Sequence, residues 1–140
     1  MMTEEQDSSA VVARDVATAD IERWLDARRM KQAKRNANKD QIDGLIEAVM
    51  DGELEVNDQN ELVQILAFPF EADGGRGFDQ LVYKNRLKPK DVDFRGGKQD
   101  DANHIILCYA SALTGKTKPI LQELETSDFR LIRSIASFFL

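Results

Sequence analysis

The chain has 140 residues, 42% of them hydrophobic, enough for a modest core and consistent with one domain. Its net charge of −6 disfavours general attraction to nucleic acid or to an anionic membrane face, so any such contact has to be local. A single cysteine, Cys108, excludes an internal disulfide framework, and no apolar run approaches the ~20 residues that span a bilayer.

Residues 1–18 hold Glu4, Glu5, Asp7, Ser8 and Ser9 without a period that would bury a face, and are expected to be a disordered tail. A single domain is expected over 19–140: helical over 19–52, antiparallel strands over 53–88, helical again over 89–140. From Ala19 the pattern turns helical, with Thr18 or Asp20 as cap and Ile21, Trp24, Leu25 and Met30 as a narrow apolar stripe. Asn36 and Asn38 interrupt the run. A second helix follows, with Ile42, Leu45, Ile46, Val49 and Met50 on one side and Asp51-Gly52 as its stop.

Leu54-Glu55-Val56, the polar Asn57-Asp58-Gln59-Asn60 and Leu62–Phe70 predict a hairpin. Pro69 rules the end of the longer strand out of a central ladder, and the glycine-rich 71–77 turns the chain again. The segment 78–88 then returns as a third strand, with Leu81 and Tyr83 facing one way and Val82 the other. Pro89 ends it. Ile105, Ile106, Tyr109 and Leu113 fall at helical spacing before a Gly115 stop. Pro119 opens a second short helix carrying Ile120, Leu121 and Leu124, and Thr126-Ser127-Asp128 offers the cap of a third that bears Phe129, Ile132, Ile135, Ala136 and Phe139. The expected fold class is α+β: a helical amino-terminal part, a short antiparallel sheet, and a carboxyl-terminal three-helix part packed on it.

Charge is sharply segregated. Residues 23–39 carry seven bases and one acid, whereas 40–61 carry eight acids and no base. Three uses are open: the two blocks oppose one another, within the chain or between copies; the basic run docks an acidic or nucleic-acid partner; or it is an arm that folds onto a helical client. Stacking aromatics are scarce there, Trp24 aside, which counts against single-strand binding.

Catalytic and cofactor signatures are weak. Gly115-Lys116-Thr117 resembles the end of a phosphate loop, yet Ala110 stands where the first glycine is needed and a helix precedes it where a strand is required. His104, the lone histidine, shares a helix face with Cys108, and two ligands are too few for a structural zinc site. No cofactor, no metal and no enzymatic activity are expected. Ile135, Phe138, Phe139 and Leu140 load the last turn with more apolar surface than one stripe needs, so Phe138 and Leu140, with Ile21 and Trp24, are the candidate partner-binding residues.

Several short motifs taken in order carry a family resemblance. They are Leu87-Lys88-Pro89-Lys90-Asp91, then a helix closed by Leu113-Thr114-Gly115, then an Asp128-led helix ending in Phe139-Leu140. Over about 78–140, and more weakly over about 40–70, the chain resembles the phage tail assembly chaperones of contractile-tailed and Mu-like phages. The resemblance implies a non-catalytic protein of the host cytoplasm. It would keep the tape measure protein soluble during tail building, act beside the tail tube protein, and be absent from the mature virion. The alternatives are a small nucleic-acid-associated regulator using 23–39, or a structural tail or baseplate component. Homo-oligomerisation is open, and no membrane partner is expected.

Overall fold

A computed structural model describes residues 12–72 and 75–140. The chain is α+β, and its contacts fall into two compact units, Met1–Ile65 and Leu66–Leu140. Among the described residues, no helix is long and apolar enough to cross a membrane.

In the first unit, α1 runs Arg14–Ala27 and buries Ala17, Ile21, Trp24 and Leu25. The helix begins five residues before the expected start. Residues 14–18, read from sequence as part of the tail, are helical because Ala17 extends the 17, 21, 24 stripe backward by one turn. Neither Thr18 nor Asp20 caps it; the cap position is Ala13, which gives no side-chain bond. Val12 N–H donates to the Met50 carbonyl at 3.2 Å. The rest of the expected tail, 1–11, lies outside the described residues. After α1, Arg29 takes a left-handed φ of 57° and turns the chain into α2 (Gln32–Ala37).

Asn38 (φ −114°, ψ 27°) separates α2 from α3 (Lys39–Met50), so the break falls at one of the two asparagines the sequence offered. Leu45, Ile46, Ala48 and Val49 of α3 are buried, and α3 packs against α1 and against β1 (Leu54–Val56). β1 pairs antiparallel with the start of β2 (Leu62–Phe70), Leu54 opposite Gln64 and Val56 opposite Leu62. Asn57 builds the connecting turn, its Oδ1 accepting from the N–H groups of Gln59 and Glu61 at 3.0 and 2.9 Å.

The sheet order is β1-β2-β3, antiparallel, with β3 at Phe78–Tyr83. Within the second unit, Leu81 and Tyr83 are buried while Val82 is exposed, matching the expected alternation. The strand ends at Tyr83 and not at 88, because Lys84 N–H leaves the ladder and donates to the Leu113 carbonyl at 3.0 Å. A 3-10 turn, Pro89–Asp91, follows.

Helix α4 (Ala102–Thr114) starts at Asp101, whose carboxylate accepts from Asn103 N–H at 3.0 Å, and stops at Gly115, left-handed at φ 74°. Helix α5 (Lys118–Gln122) has Pro119 in its first turn, and α6 spans Thr126–Ser137 with Ile132, Ile135 and Ala136 buried. α4 packs on α5, α6 and β3.

Burial lifts the Tyr83 phenol well above its ordinary value of 10.0. Above about pH 10 the unfolded chain loses this proton while the folded one keeps it, so stability should fall with rising pH by up to about 1.4 kcal/mol per pH unit. Urea unfolding from neutral pH to strongly alkaline pH should show that decline, and Tyr83→Phe should remove this component of it.

Candidate functional site

The four partner-binding candidates separate on sight of their burial. Ile21 is 0% exposed and Trp24 1%, both on the face of α1 that turns inward. Phe138 is 4% exposed, whereas Leu140 is 55% exposed. Three of the four are therefore core residues, and the structure corrects the reading of Ile21, Trp24 and Phe138 as surface. A thin stripe on a polar helix looks the same in sequence whether it meets the core or a partner. At the carboxyl end α6 stops at Ser137, and the following turn sends Phe138 inward, leaves Phe139 half-buried and Leu140 outside.

Among the described residues of the second unit, the other large apolar side chains open to solvent are Phe68 and Val82. Helices α4, α5 and α6 enclose a groove of about 420 Å³ lined by Leu107, Leu121, Leu124 and Phe129, with Asn103 and Arg133 among its polar residues. The Arg133 guanidinium donates to Asn103 Oδ1 at 2.7 Å and lies 5.9 Å from the centre of the Phe129 ring. One cation is thus held at the edge of a leucine floor. The spacing of Leu121, Leu124 and Phe129 marks them as apolar in sequence, but a groove needs the angle between three short helices, which no single-helix pattern carries.

At the other end of α6, Asp128 does not cap its own helix as the sequence suggested; the cap position is Glu125, without a side-chain bond. The Asp128 carboxylate, 5% exposed, accepts from the N–H groups of Ala67 at 2.9 Å and Phe68 at 3.0 Å. Consecutive N–H groups of a regular strand point to opposite edges, so their convergence on one carboxylate marks a local distortion of β2 there. The neighbouring Phe68 side chain is 55% exposed.

The histidine is seated by packing. His104 Nε2 lies 2.9 Å from the Phe94 carbonyl, an acceptor, so that nitrogen carries the proton. Cys108 Sγ is 3.4 Å from the same nitrogen, and a β-carbon on Gly97 would collide with the imidazole ring. Among the described residues no group of three or more His, Cys, Asp or Glu side chains could hold a metal ion. The Gly115-Lys116-Thr117 run follows α4, and Lys116 Nζ sits 4.2 Å over the Phe78 ring.

The basic block of 23–39 is partly used within its own unit. Arg23 donates to the Asn57 carbonyl at 3.1 Å and Asn60 Oδ1 at 2.9 Å, and pairs with Asp20. Arg35 donates to the Met30 carbonyl and pairs with Asp26, each at 2.8 Å. Arg28 lies 5.2 Å over the Trp24 ring, and burial there lowers its pKa to about 10, leaving it charged at neutral pH.

The fold and this surface define a mixed α+β protein with an open helical groove. Compared with family models, with curated proteins and with solved structures, the chain matches none.

Proposed function

We propose that the chain is a non-catalytic tail assembly chaperone that holds the tape measure protein soluble in the host cytoplasm until tail tube subunits enclose it, and that it is absent from the mature virion. The observation that carries the reading is the α4–α5–α6 groove, a trough of about 420 Å³ in which the half-buried Phe129 stands among Asn103, Gln122, Thr126 and Arg133 over buried leucines. It is built by the helices in which the Leu113-Thr114-Gly115 and Asp128-led motifs stand. Grooves of this kind take the apolar side chains of an amphipathic helix spaced three or four residues apart. The client contacts proposed from sequence move accordingly: Leu140 stays, and the half-buried Phe129 replaces Ile21, Trp24 and Phe138. Masking by such contacts is weak per copy and strong only by repetition, so a growing tube can displace each copy in turn.

The rival reading, a regulator that binds nucleic acid through 23–39, is weakened by the engagement of Arg23 and Arg35 in contacts of their own unit. The third reading, a tail or baseplate component, would require the chain in purified particles. Phe129→Gln combined with Leu140→Ser should lower the soluble yield of a co-expressed tape measure segment severalfold, while the melting temperature stays within a few degrees of the parent. An unchanged yield contradicts the reading, and retardation of duplex DNA at moderate salt would replace it with the regulator.

A further inference from the structure

The second strand of the sheet outruns the first. β1 is three residues long and β2 nine, and their register puts Leu54 opposite Gln64 and Val56 opposite Leu62. One more bond on that edge, from Ile65 N–H to the Glu53 carbonyl at 2.9 Å, ends the pairing. β2 then runs on through 66–70 with β3 along its other edge, where the Phe70 and Phe78 rings stack 5.1 Å apart. Ala67, Phe68 and Pro69 are exposed, and no residue from Leu62 to Phe70 carries a charge. An exposed apolar strand end with an open edge is a template for a further strand, and an uncharged run has nothing with which to repel a copy of itself.

Over 67–69 the strand offers that further strand no donor. The Ala67 and Phe68 N–H groups are both held by the Asp128 carboxylate, at 2.9 and 3.0 Å, and Pro69 has no N–H to give. Three successive residues are thereby closed to the ladder an incoming strand would need. Water could satisfy the same two N–H groups, because Ala67 and Phe68 are exposed. Asp128 does what water does not: an incoming carbonyl displaces water at little cost, whereas displacing this carboxylate strips two donors from a charge that is itself only 5% exposed.

We infer that Asp128 and Pro69 guard this edge and keep β2 of a second copy from adding to it. The partner held off is the same strand of another molecule: apart from Gln64 the run is apolar, with Glu61 and Glu71 standing only at its two ends, and such a run stacks on itself when its edge is free. The guard is divided, one residue withdrawing two donors and the other lacking one. Neither residue lines the helical groove, so the inference stands independently of the chaperone reading.

The test follows assembly of the full chain by thioflavin T fluorescence and sedimentation, at a temperature where circular dichroism shows each variant folded. Asp128→Ala/Pro69→Val should form thioflavin-positive assemblies at least about tenfold faster than the parent, and Pro69→Val alone, which leaves the Asp128 contacts in place, should show a smaller increase. Adding Phe68→Lys should return assembly to the parent's rate without raising the urea midpoint, since a charge at that exposed position repels a second copy but restores no hydrogen bond. Leu113→Ala, at a buried position of the same unit, lowers stability with the edge still guarded and should not assemble. Should the double variant not fold, the comparison rests on Pro69→Val with and without Phe68→Lys. Edge variants no faster than the parent, Leu113→Ala assembling as fast as they do, or Phe68→Lys leaving their rate unchanged would overturn the inference.

Discussion

Truncation of Trp24 to alanine is expected to cost about 3–5 kcal/mol, the largest single-residue loss in the first unit. The indole is 1% exposed and continues the buried stripe of Ala17, Ile21 and Leu25 on α1, the helix that packs against α3 and β1. Removing it leaves a void among close-packed side chains and takes the ring from beneath the Arg28 guanidinium, 5.2 Å away. Domains of this size usually hold only about 5–15 kcal/mol in all, so the variant should be largely unfolded in moderate urea. Far-UV circular dichroism is the readout, because Trp24 is the sole tryptophan and fluorescence goes with it. Val16→Ala, on the same helix at a side chain 51% exposed, should stay within about 0.5 kcal/mol of the parent. A Trp24→Ala protein that melts like the parent yet captures less client would restore this residue to the binding surface.

In the second unit the expected weak point is Asp128. Its carboxylate collects two successive backbone N–H groups of β2, from Ala67 and Phe68, and is itself buried. Bonds to an ionised acceptor are worth more than neutral ones, and loss of the acceptor leaves two donors without it. Asp128→Ala should therefore cost about 2–4 kcal/mol. Asp128→Asn should fall between parent and alanine, since an amide offers one oxygen where the site asks for two acceptors and turns an NH2 group toward the remaining donor. Ser127→Ala, exposed in the same helical turn, should change stability by less than about 0.5 kcal/mol. If all three variants unfold at the parent's urea midpoint, Asp128 is a first-turn acid and no more.

The parts of the fold that were legible in sequence are those set by local chemistry. The α3 stripe, the Asn57–Asn60 turn, the opposed facing of Leu81 and Val82, and the Gly115 stop all follow from period, turn residues and a left-handed glycine. What was misread depends on partners distant in the chain. α1 starts at Arg14 because Ala17 completes a buried face, which the polar residues around it conceal. Asp128 reads as a cap because Thr-Ser-Asp before an apolar run usually is one, and only the fold brings β2 within its reach. Ile21 and Trp24 suggest a client-facing stripe until α3 and β1 are present to bury them. Phe138 and Leu140 are two residues apart in sequence, yet the first is buried and the second exposed, past the end of α6 at Ser137.

The candidate groove shows the same limit. Leu107, Leu121, Leu124 and Phe129 are plain apolar positions one by one, and become a trough only through the mutual tilt of α4, α5 and α6. Arg133 belongs to it because Asn103 and Phe129 hold its guanidinium at the rim.

The central claim is that this groove receives an apolar helix, and hydrogen–deuterium exchange of the full chain with a helical tape measure segment addresses it most directly. Binding should slow exchange across α4 and α6 around Leu107, Leu124 and Phe129, leave 28–34 unchanged, and lose its effect in Phe129→Gln. Protection confined to 28–34 of the first unit, or none anywhere at saturating segment, would contradict the account.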